Sequence, residues 1–397
     1  FFDRPALMDR MFRFKETFSR HFERFQVFYA LKSNSFSGIR RSAPAAGFGL
    51  DVSSGLELSM ALSDGCGKII FSGPGKTDEE LGLALQNRGG VTLLLDSIGE
   101  FHRLSEILKR EAPSPEKLRL GVRVRAASQG RWNKFGIPLK DLSTLLRRAS
   151  SIREIELSGI QFHTSWNLEP GPQIEMIARI GNHIRRHVPV KYWPDLKFLD
   201  IGGGFWPENG EWLQFENTSR GKLHDLLGQK GKSPLRHYCR EAKPLDDFAA
   251  EIASELLRQG PPLSDLEIWT EPGRWISTPA MHILLKVVDE KDPGRVILDG
   301  GTNLLGWERP LSEYIPVINL SKPSIKETPL LLFGSLCTPY DVWGTSIFGT
   351  VKVGDILMIP DQGAYTYSLR QSFIKPLSRV VRFDGKALKE VEEEQKI

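Results

Sequence analysis

Lys32 closes a short apolar run, Phe28-Tyr29-Ala30-Leu31, and is followed at once by Ser33 and Asn34. A lysine placed where a buried strand ends is partly desolvated, which lowers the pKa of its ε-amine and frees a lone pair for imine chemistry. The plainer alternative is a surface lysine that caps a strand. Three further groups argue against it. His163 follows the apolar run 156–162, the glycines of Asp200-Ile201-Gly202-Gly203-Gly204 follow 197–201, and Glu271-Pro272-Gly273-Arg274 follows 266–270. Consecutive glycines let backbone N–H groups approach an anion closely. A histidine so placed can lie flat on a planar cofactor, against the ordinary alternative of a packed core histidine. For Glu271 and Arg274 the ordinary alternative is a local ion pair. Separated, the arginine is a phosphate fork and the glutamate an acceptor for a protonated ring nitrogen.

Two nucleotide motifs are suggested and then excluded. The glycine run lacks the third glycine of the dinucleotide fingerprint, which would fall at Pro207, and Gly73-Pro74-Gly75-Lys76-Thr77 has Ile70 where a phosphate loop needs glycine. The second stretch reads as a turn and a helix start, with Thr77 and Glu80 spaced as a capping box.

The elements that must position these residues alternate strictly. Short apolar runs at 27–31, 49–52, 68–71, 91–95, 118–124, 156–162, 197–201 and 266–270 read as strands. Amphipathic stretches at 38–46, 54–62, 77–86, 98–110, 139–149, 172–187 and 246–259 read as helices, and 5–25 as a helix preceding the first strand. Strand and helix in alternation eight times over define an α/β chain with a (β/α)8 barrel over 5–280. Such barrels carry their chemistry at the carboxyl ends of the strands, where Lys32, Asp51, Gly73, Asp96, Arg123 to Arg125, His163, the glycine run and Glu271 all fall. Beyond 280, short β-rich runs separated by Gly, Pro and Asp indicate a second, mostly antiparallel β domain over 281–397, to which residues 1–4 could add a strand. The tail 388–397 reads as a solvated end.

Composition excludes other classes. With 40% hydrophobic and 26% charged residues the 397-residue chain is ordinary globular protein, and a net charge of +4 from scattered Lys and Arg gives no nucleic-acid footprint. Cys66, Cys239 and Cys337 are odd in number and lack CxxC spacing, so neither a disulfide framework nor a metal site is expected. No apolar run reaches membrane-spanning length, and a cytoplasmic protein is expected. The chain opens on Phe1 rather than methionine, which leaves room for residues upstream.

Assembled, these features resemble the fold-type III pyridoxal-phosphate decarboxylases, which include diaminopimelate, ornithine and carboxynorspermidine decarboxylases. The resemblance rests on Tyr29-Ala30-Leu31-Lys32-Ser33-Asn34, Asp51-Val52-Ser53-Ser54-Gly55-Leu56-Glu57, Asp-Ile-Gly-Gly-Gly at 200–204, Glu-Pro-Gly-Arg at 271–274, Leu336-Cys337 and Gly363-Ala364-Tyr365. It implies that pyridoxal 5'-phosphate is held covalently by Lys32, with Asp51 beside it and His163 against the ring. Gly203, Gly204, Arg274 and Tyr365 would hold the phosphate, and Glu271 would keep the ring nitrogen protonated. It further implies a homodimer with shared active sites, in which Cys337 reaches the partner's site and gives a proton to the substrate carbanion. A buried small hydrophobe is the alternative for that cysteine.

The chain departs from the pattern at two places. Where the family commonly has Gly-Ser after the histidine, this chain has His163-Thr164-Ser165-Trp166, so the phosphate serine is either displaced, with Ser165 as the substitute ligand, or absent. Thr338 stands where ornithine decarboxylases carry an acidic residue for the distal amine, so a simple diamine fits poorly. Cys337-Thr338-Pro339-Tyr340-Asp341 is more similar to the branch that decarboxylates modified or conjugated amino acids for siderophores and other secondary metabolites, with Thr338 and Asp341 facing the substrate. The insertion 206–243 is either a lid that recognises an anionic substrate portion or a solvated excursion. Trp132, Trp166, Trp206, Trp275 and Trp343 either line an aromatic pocket or pack loops. A primary-metabolism decarboxylase, an amino-acid racemase and a catalytically inactive regulatory homologue remain the alternatives.

Overall fold

Phe198 and Trp269 stack face to face, 3.6 Å between centroids and 4° between planes, and around them closes a ring of parallel strands. The computed structural model describes residues 1–110, 114–125, 133–215, 218–227, 237–306 and 313–391. Eight strands, Phe25–Ala30, Gly49–Val52, Ile69–Phe71, Val91–Leu95, Leu118–Arg125, Ile155–Gln161, Phe198–Asp200 and Glu267–Thr270, pair in parallel in that order, and the last pairs with the first. The alternation of sequence elements is therefore a closed (β/α)8 barrel.

Side chains alternate in and out along a strand, and this fixes two interior layers. One holds Phe28, Ile70, Leu94, Phe198 and Trp269. The remaining three strands supply Gly49, Gly121 and Gly159. A Cβ there would come within 2.5 Å of Phe28, 2.5 Å of Leu94 and 2.0 Å of Phe198, so bare backbone makes room for the large rings. Two residues further along each strand, on the same face, lie Ala30, Asp51, Ser72, Asp96, Arg123, Gln161, Asp200 and Glu271. An apolar plug thus carries a polar ring at the carboxyl end of the barrel.

Recurrent caps start the surrounding helices. Ser54, Thr77 and Ser97 each accept a hydrogen bond from the backbone N–H of the glutamate three residues on, at 3.3, 3.3 and 3.0 Å, and open Gly55–Ser63, Asp78–Gln86 and Ile98–Leu108. At 77–80 both halves of the expected capping box form. The helix expected over 38–46 is instead Ser37–Arg40 followed by a 3-10 turn, Pro44–Ala46, because Pro44 has no N–H and Gly47 turns left-handed at φ 76°. The N-terminal helix, Arg4–His21, buries Phe14 and Phe18, and Phe18 stacks on Phe25 at 5.2 Å.

The chain divides into two units. One is Met11–Phe205 with Lys243–Gly273, and the other Phe1–Arg10, Trp206–Ala242 and Arg274–Ile397. In the second unit the strands Ile283–Asp292, Arg295–Leu298, Glu327–Phe333, Val342–Phe348, Ile318–Asn319 and Ile356–Ile359 close a small, mostly antiparallel barrel in that order, over a core that includes Val287, Leu332, Trp343 and Leu357. Phe2–Asp3 pairs in parallel with Val380–Phe383. The alternation alone draws one boundary after 280. The insertion nonetheless belongs with the β unit, where Glu211–Gln214 and His237–Arg240 form an antiparallel hairpin. His237 of that hairpin stacks on Tyr314 at 4.0 Å, and both side chains bond Glu327.

Candidate active site

At the carboxyl end of the large barrel, the ring residues are tied in several small hydrogen-bonded groups. Lys32 Nζ donates to Asp51 Oδ2 at 2.7 Å, and Ser72 Oγ donates to Asp51 Oδ1 at 2.5 Å. Asp51 is fully buried while the lysine is partly open, which leaves the amine accessible and its direction fixed. Burial, with the Glu271 charge, pushes the Asp51 carboxyl above its ordinary range in spite of Lys32 and Ser72. Behind this pair, Glu57 Oε2 accepts the Ser53 N–H at 2.7 Å, and burial pushes its carboxyl up to about 7.

The glycine run shapes the opposite side. Gly202 and Gly204 take positive φ, 68° and 82°, which favours glycine. At Gly203, by contrast, a Cβ would lie 2.2 Å from the backbone oxygen of Glu271. Its N–H donates to His163 Nδ1 at 3.2 Å, so this backbone donor is already used. Because Nδ1 accepts, the ring proton is on Nε2, which faces Ser165 Oγ at 3.2 Å. Burial lowers the His163 pKa, so the imidazole is neutral at pH 7. Ser165, expected as a phosphate ligand, here orients the histidine. Asn167, which sequence reasoning missed, is buried beneath the turn, its N–H on Gly204 O and its Nδ2 on Thr164 Oγ1.

Glu271 Oε1 accepts from Gln161 Nε2 at 3.1 Å, and its Oε2 lies 3.6 Å from His163 Nδ1, too far for a hydrogen bond. Burial opposes its charge, but the nearby Lys32 charge and the Asp200 side chain favour it and hold the carboxyl below its ordinary range. Glu271 is a buried carboxylate, not half of a local ion pair with Arg274. The next turn of the barrel is stapled by Lys76, whose buried Nζ donates to Gly73 O, Leu94 O and Glu100 Oε1 at 2.7, 2.9 and 3.0 Å. Ser72 and Gln161 were not singled out by motif, and Asp200 entered only as the first residue of the glycine motif, with no role of its own. Their signal was parity, two residues beyond the large or glycine positions of the layer below.

In the β unit, the Arg274 guanidinium lies between the Trp206 ring at 4.6 Å and the Tyr365 ring at 5.0 Å, and among the described residues no carboxylate pairs with it. Cys337 is exposed and Thr338 half-buried. Asp341 departs from its expected role at the substrate. It is buried, its Oδ1 accepts from Thr302 N–H and Oγ1 at 2.7 and 3.0 Å, and its Oδ2 from Leu336 N–H at 2.7 Å. Both oxygens hold the loop that carries Cys337. The tryptophans do not form one pocket. Trp343 is in the small-barrel core, Trp275 is buried with Arg10 over its ring, Trp166 is exposed, and Trp132 lies outside the described residues.

A lysine amine held by a buried carboxylate, a neutral imidazole, a glycine turn that a Cβ would fill and a buried carboxylate form a site that fits pyridoxal phosphate. The family model for pyridoxal-dependent decarboxylases, pyridoxal binding domain, matches residues 7–278, and the chain belongs to that family. It is a pyridoxal-phosphate-dependent carboxy-lyase of fold-type III, acting on an amino-acid substrate.

Among its relatives, diaminopimelate decarboxylase of Methanothermobacter thermautotrophicus is 27% identical over 94% of this chain and 82% of its own. The 2-[(L-alanin-3-ylcarbamoyl)methyl]-2-hydroxybutanedioate decarboxylase of Staphylococcus aureus is 26% identical over 87% of this chain and 84% of its own. Helicobacter pylori diaminopimelate decarboxylase, solved with L-lysine, superposes with a TM-score of 0.77 at 24% identity, covering 98% of this chain and 92% of that one. Among the described residues no helix is long and apolar enough to cross a membrane, and no His, Cys, Asp and Glu cluster could hold a metal.

Proposed function

We propose that this enzyme removes the α-carboxylate of a conjugated amino acid in a siderophore or related secondary-metabolite pathway, working as a homodimer with shared active sites. The carrying observation is Thr338, a neutral residue where a simple diamino acid would need an acidic partner for its distal amine. The Staphylococcus aureus relative, whose substrate is such a conjugate, supports the same reading. A second reading, diaminopimelate decarboxylation, is favoured by the name of the archaeal relative.

Pyridoxal phosphate, when bound, supplies an electron sink for the pair left behind as CO2 departs. In this reading Lys32 carries the cofactor and Asp51 holds the amine in place. His163 packs against the ring, Arg274, Tyr365 and the glycine turn hold the phosphate, and Glu271 keeps a proton on the ring nitrogen. Cys337 Sγ delivers a proton to the carbon that lost CO2. The test is CO2 release by the loaded enzyme from lysine, ornithine, meso-diaminopimelate and a citryl-diaminopropionate conjugate. Release from the conjugate alone is expected, and efficient release from meso-diaminopimelate would replace the first reading by the second.

A further inference from the structure

The polar ring holds four carboxyl groups, Asp51, Asp96, Asp200 and Glu271, and three have visible support. Asp51 takes Lys32 and Ser72, Asp96 takes the Gly136 N–H with Arg123 at 3.7 Å, and Glu271 takes Gln161. Asp200 differs. Its Oδ1 accepts the Gly202 N–H at 2.8 Å, but its Oδ2 is sealed from solvent with no hydrogen-bond partner among the described residues. Asp200 is directly opposite Trp269 in the parallel ladder, two residues before Glu271 on the same face. Ile201 N–H to Trp269 O at 3.0 Å and Glu271 N–H to Gly202 O at 2.8 Å lock the two segments together, so the two buried carboxyls are neighbours on adjacent strands of the barrel interior.

Two ionised carboxylates buried side by side on adjacent strands, one with a bare oxygen, are a costly arrangement, whereas one proton between them converts repulsion into a hydrogen bond. We propose that Asp200 is a neutral carboxylic acid at pH 7 whose Oδ2–H donates to the Glu271 carboxylate, making Asp200 a positioning residue that keeps Glu271 ionised and aimed. The charged and titratable groups facing the pair point the same way. Burial first, then the charges of Glu271 and Asp51, push the Asp200 carboxyl well above its ordinary range, while the Lys32 charge favours charge on Glu271 and the neutral His163 adds none. The ring therefore keeps its negative charge where a protonated ring nitrogen would meet it. The functional part of this inference rests on the reading of Glu271 as the partner of that nitrogen; the location of the proton does not.

Infrared difference spectroscopy between the wild-type enzyme and Asp200→Asn, each measured at pH 7 with and without pyridoxal phosphate, reads the proton directly. The expected result is a protonated carboxylic-acid carbonyl band that is present in the wild type and lost in the variant. A difference spectrum that shows only a lost carboxylate band would overturn the proposal. Asparagine keeps an N–H donor toward Glu271 and an acceptor toward Gly202, so Asp200→Asn should hold pyridoxal phosphate within about threefold of the wild type. Asp200→Ala should bind it at least about tenfold more weakly. Equal losses in both variants would show that charge at Asp200, not a donated proton, is what Glu271 needs. Because the band is read without cofactor as well, a failure of the decarboxylase reading leaves that result intact.

Discussion

Gly203→Ala is a steric test of the cofactor turn, because Gly203, unlike its neighbours, is not among the residues with positive φ. The added Cβ would sit 2.2 Å from Glu271 O and 3.1 Å from Glu271 C, against ordinary contact beginning at 3.4 Å. Both atoms are backbone, so the turn and the last strand must separate by about 1 Å, an overpacking strain of about 1–3 kcal/mol. The same movement stretches the Gly203 N–H bond to His163, set at 3.2 Å, and adds about 1 kcal/mol. The sum is about 2–4 kcal/mol of strain in the folded protein, and in the reading that the turn and the histidine border the cofactor, relieving it displaces the groups that the cofactor must meet, at a similar cost to binding. Spectrophotometric titration with pyridoxal phosphate should show affinity lower by about thirtyfold or more. Gly82→Ala, in the helix Asp78–Gln86 with nothing within 4 Å, is the control. It should leave binding unchanged and raise stability by roughly 0.5–1 kcal/mol. Matching behaviour of the two variants would refute the close-approach argument.

Glu57, raised from an ordinary 4.5 to about 7, keeps a proton in the folded chain that the unfolded chain releases, so stability falls as pH rises between those values. The cost is up to about 3 kcal/mol, and Glu57→Gln should flatten that slope in urea titrations at pH 5 and 8; an unchanged slope would assign it elsewhere. Lys76→Met leaves Glu100 buried without its cation and should cost about 3–5 kcal/mol in the same titrations. A loss below about 1 kcal/mol would show that the pair is dispensable. Glu327→Ala removes the acceptor shared by His237, Tyr314 and Ser346 and should speed hydrogen exchange across the 211–214 and 237–240 hairpin. Unaltered protection there would mean that strand pairing alone docks the insertion.

The sequence announced the strands almost to the residue, because buried parallel strands are short apolar runs bounded by turn residues. It also placed Lys32, Asp51, His163 and Glu271 at strand ends, where barrel topology brings them together. What it did not reveal depends on partners distant along the chain. Ser72 matters because Asp51 faces it from the neighbouring strand, and Asp200 because Glu271 lies 71 positions on but next to it in the barrel. Period-two parity would have found both, since each is two residues beyond a core Ile or Phe. The insertion could not be placed from sequence, as it is held by His237 and Glu327, separated by 90 positions. Asp341 misled because a motif position resembling a substrate ligand is filled by a side chain whose oxygens are consumed by Thr302 and Leu336.

The central claim is that Lys32 carries the cofactor. Borohydride reduction of the pyridoxal-phosphate-loaded enzyme, followed by peptide mass spectrometry, should place a single pyridoxyl group on the peptide containing Lys32 and none on Lys76, which is buried with three partners. A label on another lysine, with Lys32 unmodified, would contradict the account.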